Sequence, residues 1–357
     1  MAETYHVTGL MSGTSLDGVD IAHCIFYKAN DKWAFNINKA VTIKYDEDWK
    51  NKLAGLETQS ALTFAHTHVE YGHYLGKLVN DFIEQNNLKT DFVSSHGHTI
   101  FHQPENKLTF QIGSGAAIAA ECSLPVVCDF RSIDIALNGQ GAPLVPIGDK
   151  LLFPEYDVCL NLGGFANISY NEKGKRIAFD VCPVNIVLNE LASEAGKEYD
   201  NKGEMAKNGI PDNSLIKDLD KLDFYQKNNP KSLGKEWVIR YFNPFLQKYP
   251  ISLQDKIRTV TEHIAGQISK VVKDSSAKKI LISGGGAYND FLINRIKALS
   301  GKEIIIPSKD IIEYKEALIF AFLGVLRMRK EINCLKAVTG AKSDNIGGAV
   351  YRPLTII

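Results

Sequence analysis

The stretch YHVTGLMSGTSLDGVDIAHCIFY, residues 5–27, is an apolar strand, a turn of Gly, Ser, Thr and Asp, and a second apolar strand. The same order returns in DVCLNLGGFANISYNEKGKRIAFD, residues 157–180: strand, glycine turn, strand, turn, strand. The two copies lie about 150 residues apart and helices follow each, so they read as one supersecondary unit used twice. Two similar α/β halves would leave a cleft between them, a common place for ligands.

Outward from these repeats the pattern alternates between strand and helix. KWAFNINKAVTIKY reads as a third strand, and Leu62 to Gln85 as a long helix. Phe64, Val69, Tyr71, Leu75, Leu78, Val79 and Phe82 are expected on its apolar stripe. DFVSSHGHT reads as a short strand running into a loop, and LPVVCDF as another strand. In the second half, helices are expected at Asn185–Ala195 and Ile251–Asp274. KKILISGGGAYNDFLINRIKAL then reads as strand, glycine loop and helix, and YKEALIFAFLGVLRMRK as an apolar helix.

Length and charge narrow the function classes. A chain of 357 residues suggests two domains. The expected division is 1–145 and 146–334, with a C-terminal segment from about 335 to 357 packing back on the first. Lys plus Arg and Asp plus Glu both total 41, which argues against a nucleic-acid or anionic-membrane surface. No apolar run approaches the ~18 residues of a membrane span. The start, MAETYHVTGL, lacks the pattern of a signal peptide, so the cytoplasm is the expected compartment. The six cysteines form no C-x-x-C and read as reduced thiols.

Three glycine loops and one carboxylate carry the chemistry. In the first loop, Ser12, Gly13, Thr14, Ser15, Asp17 and Gly18 offer backbone N–H groups and hydroxyls to an anion, without the lysine of a Walker loop. Asp17 or Asp20 would hold Mg²⁺ through water. A plain hairpin turn wants the same residue types. The second loop supplies Gly163, Gly164 and Asn167 at the matching place in the second repeat; the third supplies Gly284, Gly285 and Gly286 between strand and helix. Asp180 ends an apolar strand, where catalytic side chains collect, and is a candidate general base; as an alternative it would cap the following helix. His96, His98 and His102 fall close together, either as polar substrate contacts or as a zinc site. His66 and His73 share a face of the long helix and read as surface or packing residues. Arg131 suits a substrate carboxylate, or else pairs with Asp134 three residues on. Glu316 opens an apolar helix, where a carboxylate also favours the helix dipole.

The order of LMSGTSLDGVDIA, SSHGHTIFHQP, FQIGSGAAIAAECSLPVVCDFRSIDIALNGQGAPLVP, NLGGFANIS, AFD, SGGGAYN, EALIFAFLG and VTGA resembles the anhydro-N-acetylmuramic acid kinases over nearly the whole chain. The resemblance implies the α/β fold of the sugar kinase, actin and heat-shock ATPase superfamily. That is two actin-like, ribonuclease H-like domains with an interdomain nucleotide cleft. It implies ATP and Mg²⁺ as cofactors, an amino sugar as substrate, and a homodimer. It places nucleotide contacts on Ser12 to Asp20, including Leu16 and Val19, and on the other two glycine loops, Gly163, Gly164, Asn167 and Gly284 to Gly286. It places sugar contacts on Gly97, His98, Arg131 and Glu316, and the catalytic carboxylate on Asp180. By that resemblance Asp180 takes a proton from water, the 1,6-anhydro bridge opens, and O6 receives the phosphoryl group. The chain departs from the pattern at Val181-Cys182-Pro183-Val184-Asn185, usually Thr-Gly-Pro-Gly-Asn. His98 stands where Gln is usual, PIGDKLLF where a His follows the proline, and SGGG where CGGG is usual. The competing expectations are a sugar kinase with another substrate, a non-catalytic ATP-binding regulator, and a zinc hydrolase using the three histidines.

Overall fold

A computed structural model describes residues 3–227, 231–273 and 276–353. Its strands are β1 (Glu3–Ser12), β2 (Gly18–Ala29), β3 (Lys32–Lys44), β4 (Phe92–Gln103), β5 (Leu108–Ile112), β6 (Val126–Cys128), β7 (Val158–Leu162), β8 (Phe165–Glu172), β9 (Lys175–Pro183), β10 (Lys279–Ser283), β11 (Glu303–Ile305) and β12 (Ala349–Tyr351). The chain divides into two compact units, Met1–Leu152 with Tyr314–Ile357, and Phe153–Glu313.

The first unit holds the sheet β12-β6-β4-β1-β2-β3, with β5 paired to β4. β1, β2 and β3 form an antiparallel meander, and β1, β4 and β6 run parallel. The second unit holds β11-β10-β7-β8-β9, again a meander (β7, β8, β9) followed by parallel strands (β10, β11). With β5 set aside and the strands numbered along the chain within each unit, both sheets therefore contain the order 3-2-1-4-5. The repeat seen in the sequence is a repeat of topology, and it is the ribonuclease H-like order of actin-like folds. Parallel strands need crossovers, and helices supply them.

Burial follows the apolar pattern. The helix Ala61–Gln85, capped by Ser60 Oγ, buries Tyr71, Leu75, Val79 and Phe82. Val69 is 45% exposed and lies off that stripe, two residues from Tyr71 and so on the opposite face. The expected helices of the second unit run Asn185–Glu194 and Leu253–Lys273; Asp274 lies outside the described residues.

Two differences from the expected layout have physical causes. The HGHT segment is not loop: β4 continues to Gln103 because β5 pairs with it, with an irregularity between Thr99 and Phe101. The bounds of the first unit also differ, since it extends to Leu152 and is re-entered at Tyr314, inside the helix Lys309–Met328. Residues 317–326 of that helix are buried on every face. They pack in the first unit, Phe322 against Phe26 with ring centroids 5.3 Å apart and Phe320 against His96 at 4.5 Å.

Candidate active site

Asp180 is a carboxylate oriented on both oxygens within the second unit. It lies inside β9, opposite Asn167 of β8. One oxygen accepts from Asn167 Nδ2 and the other from the Leu233 N–H, at 2.7 Å for the latter. The Asp180 N–H in turn donates to the Lys231 carbonyl at 2.9 Å. Lys231 is itself held, its Nζ donating to the Phe224 carbonyl and lying over the Phe224 ring. Burial raises the Asp180 carboxyl above its usual range, opposed by those two donors. Asp180 is not a helix cap: the following helix begins at Asn185, and its N-cap Val184 offers no side-chain bond. The carbonyls of Gly163 and Gly164 accept from the N–H groups of Val184, Asn185 and Ile186 instead.

The side chains of Val181, Cys182 and Val184, at 2, 0 and 0% exposure, belong to the apolar core of the second unit. The departures beside Asp180 are thus accommodated in that core.

The glycines of the loops separate into two kinds. A Cβ on Gly18 would lie 2.3 Å from the Ile43 carbonyl, one on Gly284 2.5 Å from Asn161 Oδ1, and one on Gly286 2.7 Å from Leu162 Cβ. Packing alone requires those three. At Gly13, Gly163, Gly164 and Gly285 the nearest atom would be 3.4 Å away or more, and Gly164 and Gly285 are exposed. Packing does not explain glycine there. A ligand lying against the backbone does, which fits an anion or a flat ring at these positions. Asn161 reaches both the second and the third loop, and Asn185 donates to the Leu162 carbonyl beneath them. Neither stood out in the sequence, because Gly284 lies more than 100 residues from Asn161 and Leu162 more than 20 from Asn185.

The first loop is the connection of the β1–β2 hairpin, with Met11 opposite Asp20. Thr14, Ser15 and Asp17 are exposed, Leu16 has φ 61°, and Val19 is fully buried in the core. Asp20 Oδ1 accepts from Thr42 Oγ1 at 2.6 Å. Asp17 is the exposed carboxylate of the loop, so its placement fits a water-mediated cation. The Ser12 hydroxyl faces inward, on His98 Nδ1 at 2.9 Å and the Tyr45 hydroxyl at 2.6 Å.

His98 is therefore tied to the root of the loop. His96 accepts from Arg131 Nε at 3.1 Å and lies 2.8 Å from Nη2, while Arg131 Nη1 donates to the Gly141 carbonyl at 2.7 Å. The Nε–Nη2 edge of Arg131 is thus occupied by His96 and is not open to a bidentate carboxylate. Burial lowers Arg131 to about 10, so it keeps its charge. Burial and that charge hold His96 well below the usual histidine range. The expected pairing of Arg131 with Asp134 does not form: Asp134 accepts from the Gly141 N–H, Thr339, Asn345 and Cys334. Gly97 is required by packing, since its Cβ would meet the Ile112 carbonyl at 2.5 Å. A cavity of about 160 Å³ is lined by His96 and Gly97 with His68, Gln111, Asp129 and Tyr351; His98, Arg131 and Glu316 are not part of its wall. Glu316 keeps an exposed surface, yet the protein packed round it raises its carboxyl, against the pull of Arg131. Beside it the buried pair of Lys315 Nζ and Asp149 Oδ1, 2.7 Å apart, ties the helix to Asp149. His73 pairs with Glu121, and His66 is exposed. Among the described residues no group of three or more His, Cys, Asp or Glu side chains is placed to hold a metal ion.

The buried histidines make folding sensitive to acid. Burial pushes His98 down to about 4, whereas an unfolded histidine protonates near 6.5. As pH falls from about 6.5 towards 4 the unfolded chain binds a proton that the fold refuses, so stability falls. The loss from His98 alone is on the order of 3 kcal/mol, with His96 acting in the same direction. Asp180 and Glu316, both raised, act oppositely at the acid end. Urea midpoints are expected to drop between pH 7.5 and pH 5, and His98→Gln to flatten that slope. A midpoint independent of pH would refute it.

A sequence model of the anhydro-N-acetylmuramic acid kinase family matches residues 5–353. An anhydro-N-acetylmuramic acid kinase of Francisella tularensis subsp. novicida is 34% identical, covering 98% of this chain and 99% of its own. Those of Sulfurimonas denitrificans and Mannheimia succiniciproducens are 33% and 34% identical, covering 98% of this chain and 100% of theirs. No helix of the described residues is long and apolar enough to cross a membrane.

Proposed function

The chain belongs to the anhydro-N-acetylmuramic acid kinase family, and from that membership we propose that it hydrolytically opens the 1,6-anhydro ring of 1,6-anhydro-N-acetylmuramic acid and phosphorylates O6. The product is N-acetylmuramic acid 6-phosphate, a step of cell-wall recycling. The observation that carries the chemistry is Asp180, a half-buried carboxylate with a raised proton affinity and both oxygens oriented. Such a group suits a general base near neutral pH. Asp180 removes a proton from water, the water oxygen bonds to C1, and the C1–O6 bond of the bridge breaks. O6 is then the nucleophile for phosphoryl transfer.

ATP, when bound, supplies the phosphoryl group. Gly13, Gly163, Gly164 and Gly285 leave their backbone open to it, and Thr14 and Ser15 add exposed hydroxyls. Asp17 would hold Mg²⁺ through water. His98, Arg131 and Glu316 would face the sugar, Arg131 through N–H groups outside its contact with His96. Catalysis of the transfer rests on positioning and charge neutralisation. The same membership supports a homodimer acting in the cytoplasm.

The test is an assay with ATP, Mg²⁺ and the anhydro sugar, read by mass. A product heavier than the sugar by one water and one phosphoryl group is expected. Nucleotide binding without product would mean a related kinase acting on another sugar.

A further inference from the structure

The backbone that orients Asp180 hangs on one buried ring. The Asp180 N–H donates to the Lys231 carbonyl at 2.9 Å, and the Leu233 N–H donates to Asp180 Oδ2 at 2.7 Å. Ser232, between them, is exposed, and Lys231, Leu233 and Gly234 are half-buried, so residues 231–234 form a strap at the surface. A segment with little apolar burial opens at low cost. How long the Leu233 N–H stays on the carboxylate therefore depends on what anchors the strap.

Phe224 is that anchor. It is 2% exposed and belongs to the apolar core of the second unit. At the start of the strap Lys231 Nζ donates to the Phe224 carbonyl at 3.1 Å and lies 4.6 Å from the centre of its ring. A carbonyl and the negative face of a ring together suit an ammonium. Beyond the strap Trp237 packs on the same ring, centroids 5.5 Å apart. A π turn at Val238–Phe242 follows, and such a turn brings residues five apart onto one face, so that the Trp237 and Phe242 rings lie 6.3 Å apart. Trp237 thus holds the far end whatever stands at 231, and Lys231 is the side chain that ties the near end.

Resting on the reading of Asp180 as the general base, we infer that Lys231 is a positioning residue for the reaction: clamped on Phe224, it holds the Leu233 N–H on Asp180 Oδ2 and so fixes the plane of the carboxylate. It acts through the strap rather than through its charge. The groups that favour the ionised form of Asp180 are the Leu233 N–H and the Asn167 amide, both neutral, whereas the Lys231 ammonium acts on Cys182. Cys182 and the nearby Tyr225 hydroxyl are raised by burial and keep their protons. Without Leu233, Asp180 would bind a proton more tightly and lose one of the two donors that orient it.

The strap can be read without any activity. In Lys231→Met the Leu233 amide is expected to exchange with solvent about tenfold faster, followed by ¹⁵N NMR. The Asp180 carboxyl, identified in ¹³C-labelled protein by the signal lost in Asp180→Asn, is expected to protonate at higher pH. Lys231→Arg, whose guanidinium also donates to a carbonyl and stacks on a ring, is expected to keep both as they are in the parent. With ATP and the anhydro sugar, Lys231→Met should lower kcat about tenfold and move the acid limb of its pH profile upward, with KM for ATP within about twofold. Phe224→Leu keeps the carbonyl and removes the ring. It should act in the same direction by less, and it serves as the test if Lys231→Met does not fold. Unchanged Leu233 exchange and Asp180 titration would overturn the inference. A shifted titration without faster exchange would assign the effect to the charge and overturn the clamp as well. Changes in both with an unchanged kcat would uphold the clamp on the carboxylate and count against Asp180 as the base, which separates the two readings.

Discussion

Asp180→Asn is expected to cut sugar phosphorylation by about 10²- to 10⁴-fold, the span of a lost general base. Nucleotide affinity should stay within about twofold, because Asp180 is not part of the open glycine backbone. The substitution keeps shape but not bonding. The carboxylate accepts from Asn167 on one oxygen and from the Leu233 N–H on the other. An asparagine accepts on one side and presents N–H₂ on the other, facing a donor, so about 1–3 kcal/mol of stability is lost as well. Asn167→Ala provides the graded comparison. It removes a donor that stabilises the charged base, so the proton affinity of Asp180 rises further and the acid limb of the kcat profile moves to higher pH. Full phosphorylation by Asp180→Asn, measured by product mass, would remove Asp180 from the proton transfer.

The sequence made the meanders visible because their signals are local. Apolar runs joined by Gly-rich turns recur within 25 residues, and both copies fold as expected. The loop-bearing strand ends followed from the same runs. What stayed hidden depends on partners far along the chain. Ser12 reads as a phosphate ligand until His98, 86 residues on, is found to hold its hydroxyl. Arg131 reads as a contact for a substrate carboxylate or as a partner of Asp134 until His96 and Gly141 are found on its N–H groups. Asn167 reads as a loop residue until β8 and β9 pair and bring its amide to Asp180. The course of β4 depends on β5, and re-entry of the chain at Tyr314 on the packing of an all-apolar helix. No spacing rule encodes contacts of that kind, since each needs the sheet order first.

Asp134→Ala is expected to cause the largest stability loss of any single substitution outside the apolar cores, about 3–5 kcal/mol. Asp134 is 0% exposed. Its Oδ1 accepts from Thr339 Oγ1 and Asn345 Nδ2, both at 2.8 Å, and from the Cys334 thiol at 3.0 Å. Its Oδ2 accepts from the Gly141 N–H at 2.8 Å. Burial first, and then the carboxylate itself, raise Cys334, so the thiol keeps the proton it donates. One carboxylate thus ties the GQGAPL loop to a C-terminal segment some 200 residues later. Alanine would strand four donors in a place that water does not reach. For a unit of this size each kcal/mol moves the melting temperature by about 2–4 °C, so a drop near 10 °C is expected. Thr339→Val removes one donor without stranding the others and should cost about 1 kcal/mol. In the background of Asp134→Ala it should cost almost nothing, because its partner is already gone. Additive losses in that cycle, or a melting shift below 2 °C for Asp134→Ala, would mean that the segment is held by its backbone bonds alone. Arg131 donates to the carbonyl of the same Gly141 whose N–H Asp134 accepts. Loss of Asp134 should therefore loosen Arg131 and His96 together, and the drop in activity should track the fraction unfolded only if that link is not used.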